Sequence, residues 1–200
     1  MRFARFSLWA CAALALASCG GLDEGSESGD APAPTAEQAE LNAAPQFAST
    51  YTDFDLAKCE VLSEEREEGS SAEYRCPGFG ELPLLVQEGD GRFDLDAGGD
   101  DGGFQTIGAF NDIGDTVEWR LKNGQPFAVI FRFLDVTEEA KGRTVLAVET
   151  VTRLGLPACR VAQIAGDTPD ANQKARELAD AAATEGFRCP DEPELLGNAQ

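Results

Sequence analysis

The chain has 200 residues, and its 36 acidic and 16 basic side chains give a formal net charge of −20. Because a chain with this much negative charge repels the phosphate backbone, nucleic acid is excluded as an expected partner. The chain has no histidine, which excludes Ser-His-Asp and Cys-His catalytic pairs and any histidine-ligated metal.

The first 18 residues have the layout of a secretory signal peptide. Arg2 and Arg5 form a basic start, and the run from Leu8 to Ala17 is apolar and uncharged. This run is shorter than the ~20 apolar residues that a membrane-spanning helix needs. We therefore expect residues 1–18 to direct export and to be removed.

The apolar run ends in Leu16-Ala17-Ser18-Cys19. This order of a leucine, two small residues and a cysteine resembles the lipobox of bacterial lipoproteins. The resemblance implies that Cys19 becomes the first mature residue and carries acyl chains, which together anchor it stably to a membrane. Gly20 follows the cysteine, where an aspartate favours inner-membrane retention, so the outer membrane is the expected location. The alternative is ordinary cleavage after Ser18.

Residues 19–50 are dominated after Cys19 by Gly, Ser, Pro, Ala and acidic residues. Such a segment buries too little apolar surface to offset the entropy lost on ordering, so we predict a flexible tether. The globular domain is then expected at residues 51–190, followed by a loose tail at residues 191–200.

Four cysteines fall in the predicted domain: Cys59, Cys76, Cys159 and Cys189. An even number in an exported chain predicts two disulfides, with three possible connectivities. We favour Cys59–Cys76 and Cys159–Cys189, because these pairs close loops of moderate length. A zinc site with four cysteine ligands is the alternative, although no Cys-x-x-Cys spacing supports it.

Hydrophobic periodicity predicts an α+β fold made mainly of an antiparallel sheet of seven or eight strands, with one C-terminal helix. The predicted strand runs are residues 52–56, 73–76, 82–87, 92–96, 104–107, 116–122, 127–134, 144–151 and 159–164. Asn123-Gly124 predicts a tight hairpin turn. Thr168-Pro169 predicts the start of a helix whose alanines recur at helical spacing up to Ala182.

Asp94, Asp96 and Asp100 lie in a glycine-rich acidic stretch. Carboxylates on such a loop are typical Ca²⁺ ligands, and the three residues partly fit the EF-hand pattern. Gln105 stands where that pattern needs a bidentate glutamate, so a solvated acidic loop without metal is the favoured interpretation.

A second acidic run contains Glu64, Glu65, Glu67 and Glu68. Runs of this kind are typical of a solvated surface or a partner-facing loop. Paired carboxylates also leave open a hydrolase acting on wall glycans.

Tyr74-Arg75-Cys76, followed by a strand at Leu84–Gln87, resembles the aromatic-x-Cys start of the envelope inhibitors of C-type lysozyme. Those inhibitors are small, acidic, disulfide-bonded β proteins, and the resemblance implies a basic lysozyme as partner. This chain lacks their Ser-Gly inhibitory segment, is longer and adds a helix.

Together these patterns predict a lipid-anchored envelope protein that faces the periplasm, contains no cofactor and no catalytic residue, and is of a partner-binding or structural type. A basic envelope protein is the expected partner. A lysozyme inhibitor is the first alternative and a carboxylate-based wall-glycan hydrolase the second.

Overall fold

The structure is a computed structural model that describes residues 46–67, 69–140, 142–152 and 158–200. The predicted signal peptide, Cys19 and most of the predicted tether lie outside the described residues. Within those residues, no helix has the length and apolar character needed to cross a membrane.

The described part of the chain contains eleven strands and one α-helix, which confirms the predicted α+β class with more strands than expected. The elements in chain order are β1 Phe47–Asp53, β2 Glu60–Glu65, β3 Ser71–Phe79, β4 Leu82–Gly89, β5 Arg92–Ala97, β6 Asn111–Ile113, β7 Thr116–Lys122, β8 Gln125–Asp135, β9 Thr144–Thr150, β10 Arg160–Ala165, α1 Ala171–Ala182 and β11 Glu194–Leu196. Short 3₁₀ helices lie at Leu56–Lys58 and Glu138–Ala140.

The strands form two sheets. The large sheet has the order β1-β7-β8-β9-β10-β11, with β6 also paired to β8, and the small sheet has the order β2-β3-β4-β5. Neighbouring strands are antiparallel except β10 and β11, which are parallel.

The large sheet is the middle of three layers, because both of its faces are buried. On β8, Phe131 and Phe133 pack into a core shared with the small sheet. Ala128 and Ile130 point to the opposite side, into a second core with α1. The helix presents mainly alanines to the sheet, so its backbone lies close to β9 and β10.

The β7–β8 turn is the clearest confirmed local prediction. Asn123 and Gly124 have φ angles of 52° and 78°, as the tight turn with two positive φ angles requires. The turn joins β7 to β8 and thereby sets the register of that strand pair.

The start of the fold differs from the sequence prediction. Strand β1 begins at Phe47, inside the predicted tether, and pairs along its whole length with β7. The predicted strand at residues 52–56 ends at Asp53, because Asp55 accepts a hydrogen bond from the backbone N–H of Ala57 and caps a 3₁₀ helix. Residues 104–107 form no strand.

The end of the fold also differs. The predicted loose tail contains β11, and Ala199 is buried. Arg143 donates to the backbone oxygens of Asn198 and Gln200 at 2.9 and 3.1 Å, which holds the C-terminus against the large sheet. The helix begins after Asp170, which has a φ of 59°, so Thr168 is not its N-cap.

Candidate functional site

The two predicted disulfides are confirmed. Cys59 is bonded to Cys76 and Cys159 to Cys189, with sequence separations of 17 and 30 residues. Because all four thiols are oxidised, they cannot act as the thiolate ligands of a zinc site.

The most unusual buried feature is an arginine among acids, which we name the Arg160 cluster: Arg160, Asp94, Glu149 and Asp96. Arg160 is fully buried, and its Nη2 lies 2.6 Å from Asp94 Oδ1. Its Nε donates to Glu149 Oε2 at 3.1 Å, across the β9–β10 pair. Its Nη1 donates to the backbone oxygen of Gln105 at 2.9 Å.

Aromatic rings cover the guanidinium group of Arg160. Its central carbon lies 5.2 Å from the ring centroid of Phe131 and 5.5 Å from that of Phe133. Ring faces attract a desolvated cation, so the cluster is built into the core between the sheets.

Asp94 is fully partnered in this cluster. Besides Arg160, its carboxylate accepts hydrogen bonds from the backbone N–H groups of Leu95 and Gln105, at 2.8 and 2.5 Å. Burial raises the pKa of Asp94, and Arg160 and the two backbone donors oppose part of that rise.

Asp96 and Glu149 each have one carboxyl oxygen without a donor in the described part of the chain. They are 1% and 0% exposed, and Asp96 Oδ1 and Glu149 Oε1 have no donor among the described residues. The two carboxyl groups contact each other, so they can form a hydrogen bond only by sharing a proton. Burial raises the pKa of Asp96 to about 7 and the pKa of Glu149 well above its ordinary value.

The cluster reaches the surface through the loop after β5. Carboxylate oxygens of Asp96, Asp100 and Asp101 lie within 4.8 Å of one another, with Asp100 exposed and Asp101 half-buried. The loop turns at Gly98, which has a φ of +83°. A Cβ at Gly98 would lie 2.5 Å from the backbone oxygen of Thr152, so this close approach requires glycine.

The favoured prediction of a solvated acidic loop is therefore wrong for Asp94 and Asp96, which are buried. Among the predicted calcium ligands, Asp94 is engaged by Arg160, whereas Asp96 and Asp100 do come together. Sequence reasoning missed Arg160 and Glu149 as partners. The sequence does contain a signal for them. Glu149 is the one charged residue of β9 and Arg160 the one charged residue of β10, and the other residues of both strands are mostly apolar or β-branched.

A second candidate site is the hairpin of residues 60–75, which we name the acidic arm. Its six glutamates and two arginines give it a formal charge of −4. All six residues of β2 are exposed, and β2 is the end strand of the small sheet. The predicted run Glu64, Glu65 and Glu67 lies on this arm, while Glu68 is outside the described residues.

The acidic arm also carries exposed apolar side chains. Val61 and Leu62 are 56% and 46% exposed. Leu62 is the extra residue of a β-bulge, because Val61 pairs with Tyr74 and Ser63 with Glu73. The Cys59–Cys76 disulfide closes the base of the arm.

A cavity of about 590 Å³ lies between β8 and the end of α1. Phe127, Phe187 and Ala182 line it with apolar surface, and Lys122 lies at its wall. Lys122 donates to the backbone oxygen of Ala183 at 2.7 Å, so its ammonium group is already engaged.

Comparison with known proteins gives no family: no family model matches the chain, and neither a curated protein nor a solved structure is significantly similar to it. The acidic arm and the Arg160 cluster are two candidate sites among the described residues.

Proposed function

We propose that the chain is a non-catalytic, lipid-anchored protein of the cell envelope that binds a basic protein partner through the acidic arm. Residues 1–18 direct export, and Cys19 anchors the mature chain to a membrane, with the outer membrane favoured. The signal and lipobox patterns support export and anchoring. The two disulfides are consistent with them, because such bonds persist in oxidising compartments.

The single observation that carries the partner proposal is the combination of charge and apolar surface on one strand. Val61 and Leu62 are exposed beside Glu64 and Glu65 on β2. Interfaces combine apolar contact at the centre with complementary charge around it. An acidic surface on a chain of net charge −20 attracts a basic partner over a distance of about a Debye length.

Edge protection is the other physical role of such a strand, since charges and bulges prevent sheet edges from pairing with other chains. Protection accounts for the glutamates and for the bulge at Leu62. It does not account for two large apolar side chains exposed on the same strand, which protection would disfavour. The disulfide at the base restricts the arm and so lowers the entropy that binding would cost.

Site-specific photo-crosslinking in cells tests this proposal. A photoreactive side chain at position 62 is compared with one at position 136, because Leu62 and Val136 are similarly exposed, at 46% and 44%. We expect the probe on the arm to capture one defined basic protein that the probe at position 136 does not capture.

Charge reversal gives the matched control. The variant Glu64→Lys/Glu65→Lys should abolish the crosslink from position 62, and the equally exposed pair Glu138→Lys/Glu139→Lys should leave it intact. Identical products from positions 62 and 136, or a crosslink that survives reversal of the arm, would contradict the proposal.

A basic lysozyme is a specific case of such a partner, and it is favoured by the same acidic arm. The purified chain at micromolar concentration should then slow lysis of wall material by lysozyme, and Glu64→Lys/Glu65→Lys should remove the effect. If the purified chain does not change the rate of lysis, the lysozyme-inhibitor alternative is excluded, and a basic partner other than lysozyme remains the proposal.

The wall-glycan hydrolase is not favoured by the geometry of the described residues. The contacting carboxyl pair, Asp96 and Glu149, is 1% and 0% exposed, whereas glycosidase carboxyl groups flank a glycan in an open cleft.

A further inference from the structure

We propose that Asp96, Asp100 and Asp101 form a Ca²⁺ site at the surface end of the Arg160 cluster. This inference does not depend on the acidic arm or on any partner. It assigns a ligand of a different class to the loop after β5.

The first support is the spacing of the carboxylates. Oxygens of the three aspartates lie within 4.8 Å of one another. Ca²⁺ binds its oxygens at about 2.3–2.6 Å, so oxygens on opposite sides of one ion lie about 4.8 Å apart. The three carboxylates therefore fit a single coordination shell with little movement.

The second support comes from the interior and is independent of that spacing. Asp96, one of the three proposed ligands, is 1% exposed, and its Oδ1 has no hydrogen-bond donor among the described residues. Glu149 Oε1, in the buried carboxyl group next to Asp96, has none either. Arg160 does not supply the missing donor, since its hydrogen bonds go to Glu149 Oε2, to Asp94 and to the backbone oxygen of Gln105.

The cluster thus has three buried carboxyl groups for one guanidinium group. Such an excess of negative charge in the interior requires a proton or a cation nearby. A dication held by Asp96, Asp100 and Asp101 would lie beside this excess and lower its electrostatic cost.

The donor set identifies the class of metal. All three ligands are hard carboxylate oxygens, which suit Ca²⁺ or Mg²⁺ and not the softer metals. The ligands come from a strand end and a glycine-rich loop, where Gly98 and Gly102 both have φ of +83°. Such an irregular set suits Ca²⁺, since Mg²⁺ demands a near-ideal octahedron.

Calorimetric titration of the purified full-length mature protein in detergent, after chelator treatment, tests the proposal. We expect one equivalent of Ca²⁺ to bind with submillimolar affinity and to raise the midpoint of thermal unfolding. Mg²⁺ should bind at least about tenfold more weakly.

A charge-matched pair of variants separates a site from general screening. Asp100→Asn/Asp101→Asn should weaken Ca²⁺ binding by at least about tenfold. Asp112→Asn/Glu138→Gln removes two exposed charges elsewhere and should leave the affinity within about twofold.

The proposal is overturned if millimolar Ca²⁺ produces neither heat nor a change in the unfolding midpoint, in which case a shared proton alone compensates the buried pair. It is also overturned if Mg²⁺ matches Ca²⁺, or if both double variants bind as the unmodified protein does.

Discussion

At the scale of single residues, Arg160 decides whether the core tolerates its acids. Its guanidinium group is buried against Asp94 and Glu149 and is covered by the rings of Phe131 and Phe133. A buried pair adds little net stability, but removing one partner leaves the other charge uncompensated.

We therefore expect Arg160→Met to lower the free energy of unfolding by about 3–5 kcal/mol. Urea denaturation at neutral pH measures this change. Arg66→Met is the control, because Arg66 forms an exposed ion pair with Glu64, and exposed pairs contribute little. If the two variants unfolded at the same urea concentration, Arg160 would not compensate the buried acids.

Asp96 should make stability depend on pH. Its pKa in the folded protein is about 7, above the ordinary 3.8, mainly because it is buried. The native state therefore keeps a proton that the unfolded chain releases. The stability gained from this carboxyl group is complete below about pH 4 and is lost as pH rises to about 7.

Asp96→Asn should remove this dependence, because the amide stays neutral and can donate to Glu149 at every pH. In chelator-treated samples above pH 7, we expect the variant to unfold at a higher urea concentration than the unmodified protein. The difference between the two urea concentrations should shrink as the pH is lowered. Parallel curves for the two proteins across this range would show that Asp96 does not hold the proton.

Sequence reasoning found these acids but misjudged their environment. Asp94 and Asp96 alternate with Phe93 and Leu95, a pattern that predicts a solvated face opposite a core face. The loop after β5 and Arg160 of β10 cover that second face. Such a contact joins residues 66 positions apart, and local periodicity carries no information about it.

At the scale of secondary-structure elements, periodic segments were predictable and short or charged ones were not. Strand β7 has the predicted bounds, and helix α1 ends at the predicted Ala182 but begins after Asp170 and not at Thr168-Pro169. Both elements were predictable because each has an apolar face of clear period. Strand β2 was missed because both of its faces are exposed and half of its residues are glutamates. Strands β6 and β11 have three residues each, too few to show a period.

The two disulfides constrain different elements, which gives a prediction at this scale. Loops of 17 and 30 residues correspond in the chain-entropy account to about 3–4 kcal/mol each. Cys59→Ser/Cys76→Ser should in addition loosen the acidic arm, since that bond closes its base. Hydrogen exchange should then accelerate in β2 and β3 more than in β9 and β10.

Cys159→Ser/Cys189→Ser is the matched comparison, and it should accelerate exchange near β10 and leave the arm unchanged. If both double variants changed exchange in β2 equally, the Cys59–Cys76 bond would not be what holds the arm.

At the scale of the whole molecule, the arrangement in three layers separates the two candidate sites. The large sheet and α1 form a core that excludes water, and the small sheet covers the other face of the large sheet. The acidic arm extends from the end strand of the small sheet, while the Arg160 cluster joins β5 to β9 and β10. The α+β class followed from the sequence, but the division into two sheets depends on long-range pairing that the sequence patterns do not reveal.

Attachment through Cys19 is the claim on which location, oxidising environment and access to an envelope partner all depend. Intact-mass spectrometry of the protein extracted from the membrane fraction tests it most directly. We expect a chain that begins at Cys19 and carries the added mass of acyl groups. We also expect the protein with the Cys19→Ala substitution to be absent from the membrane fraction. A chain that begins at Met1, or an unmodified Cys19 at the amino terminus, would contradict the account.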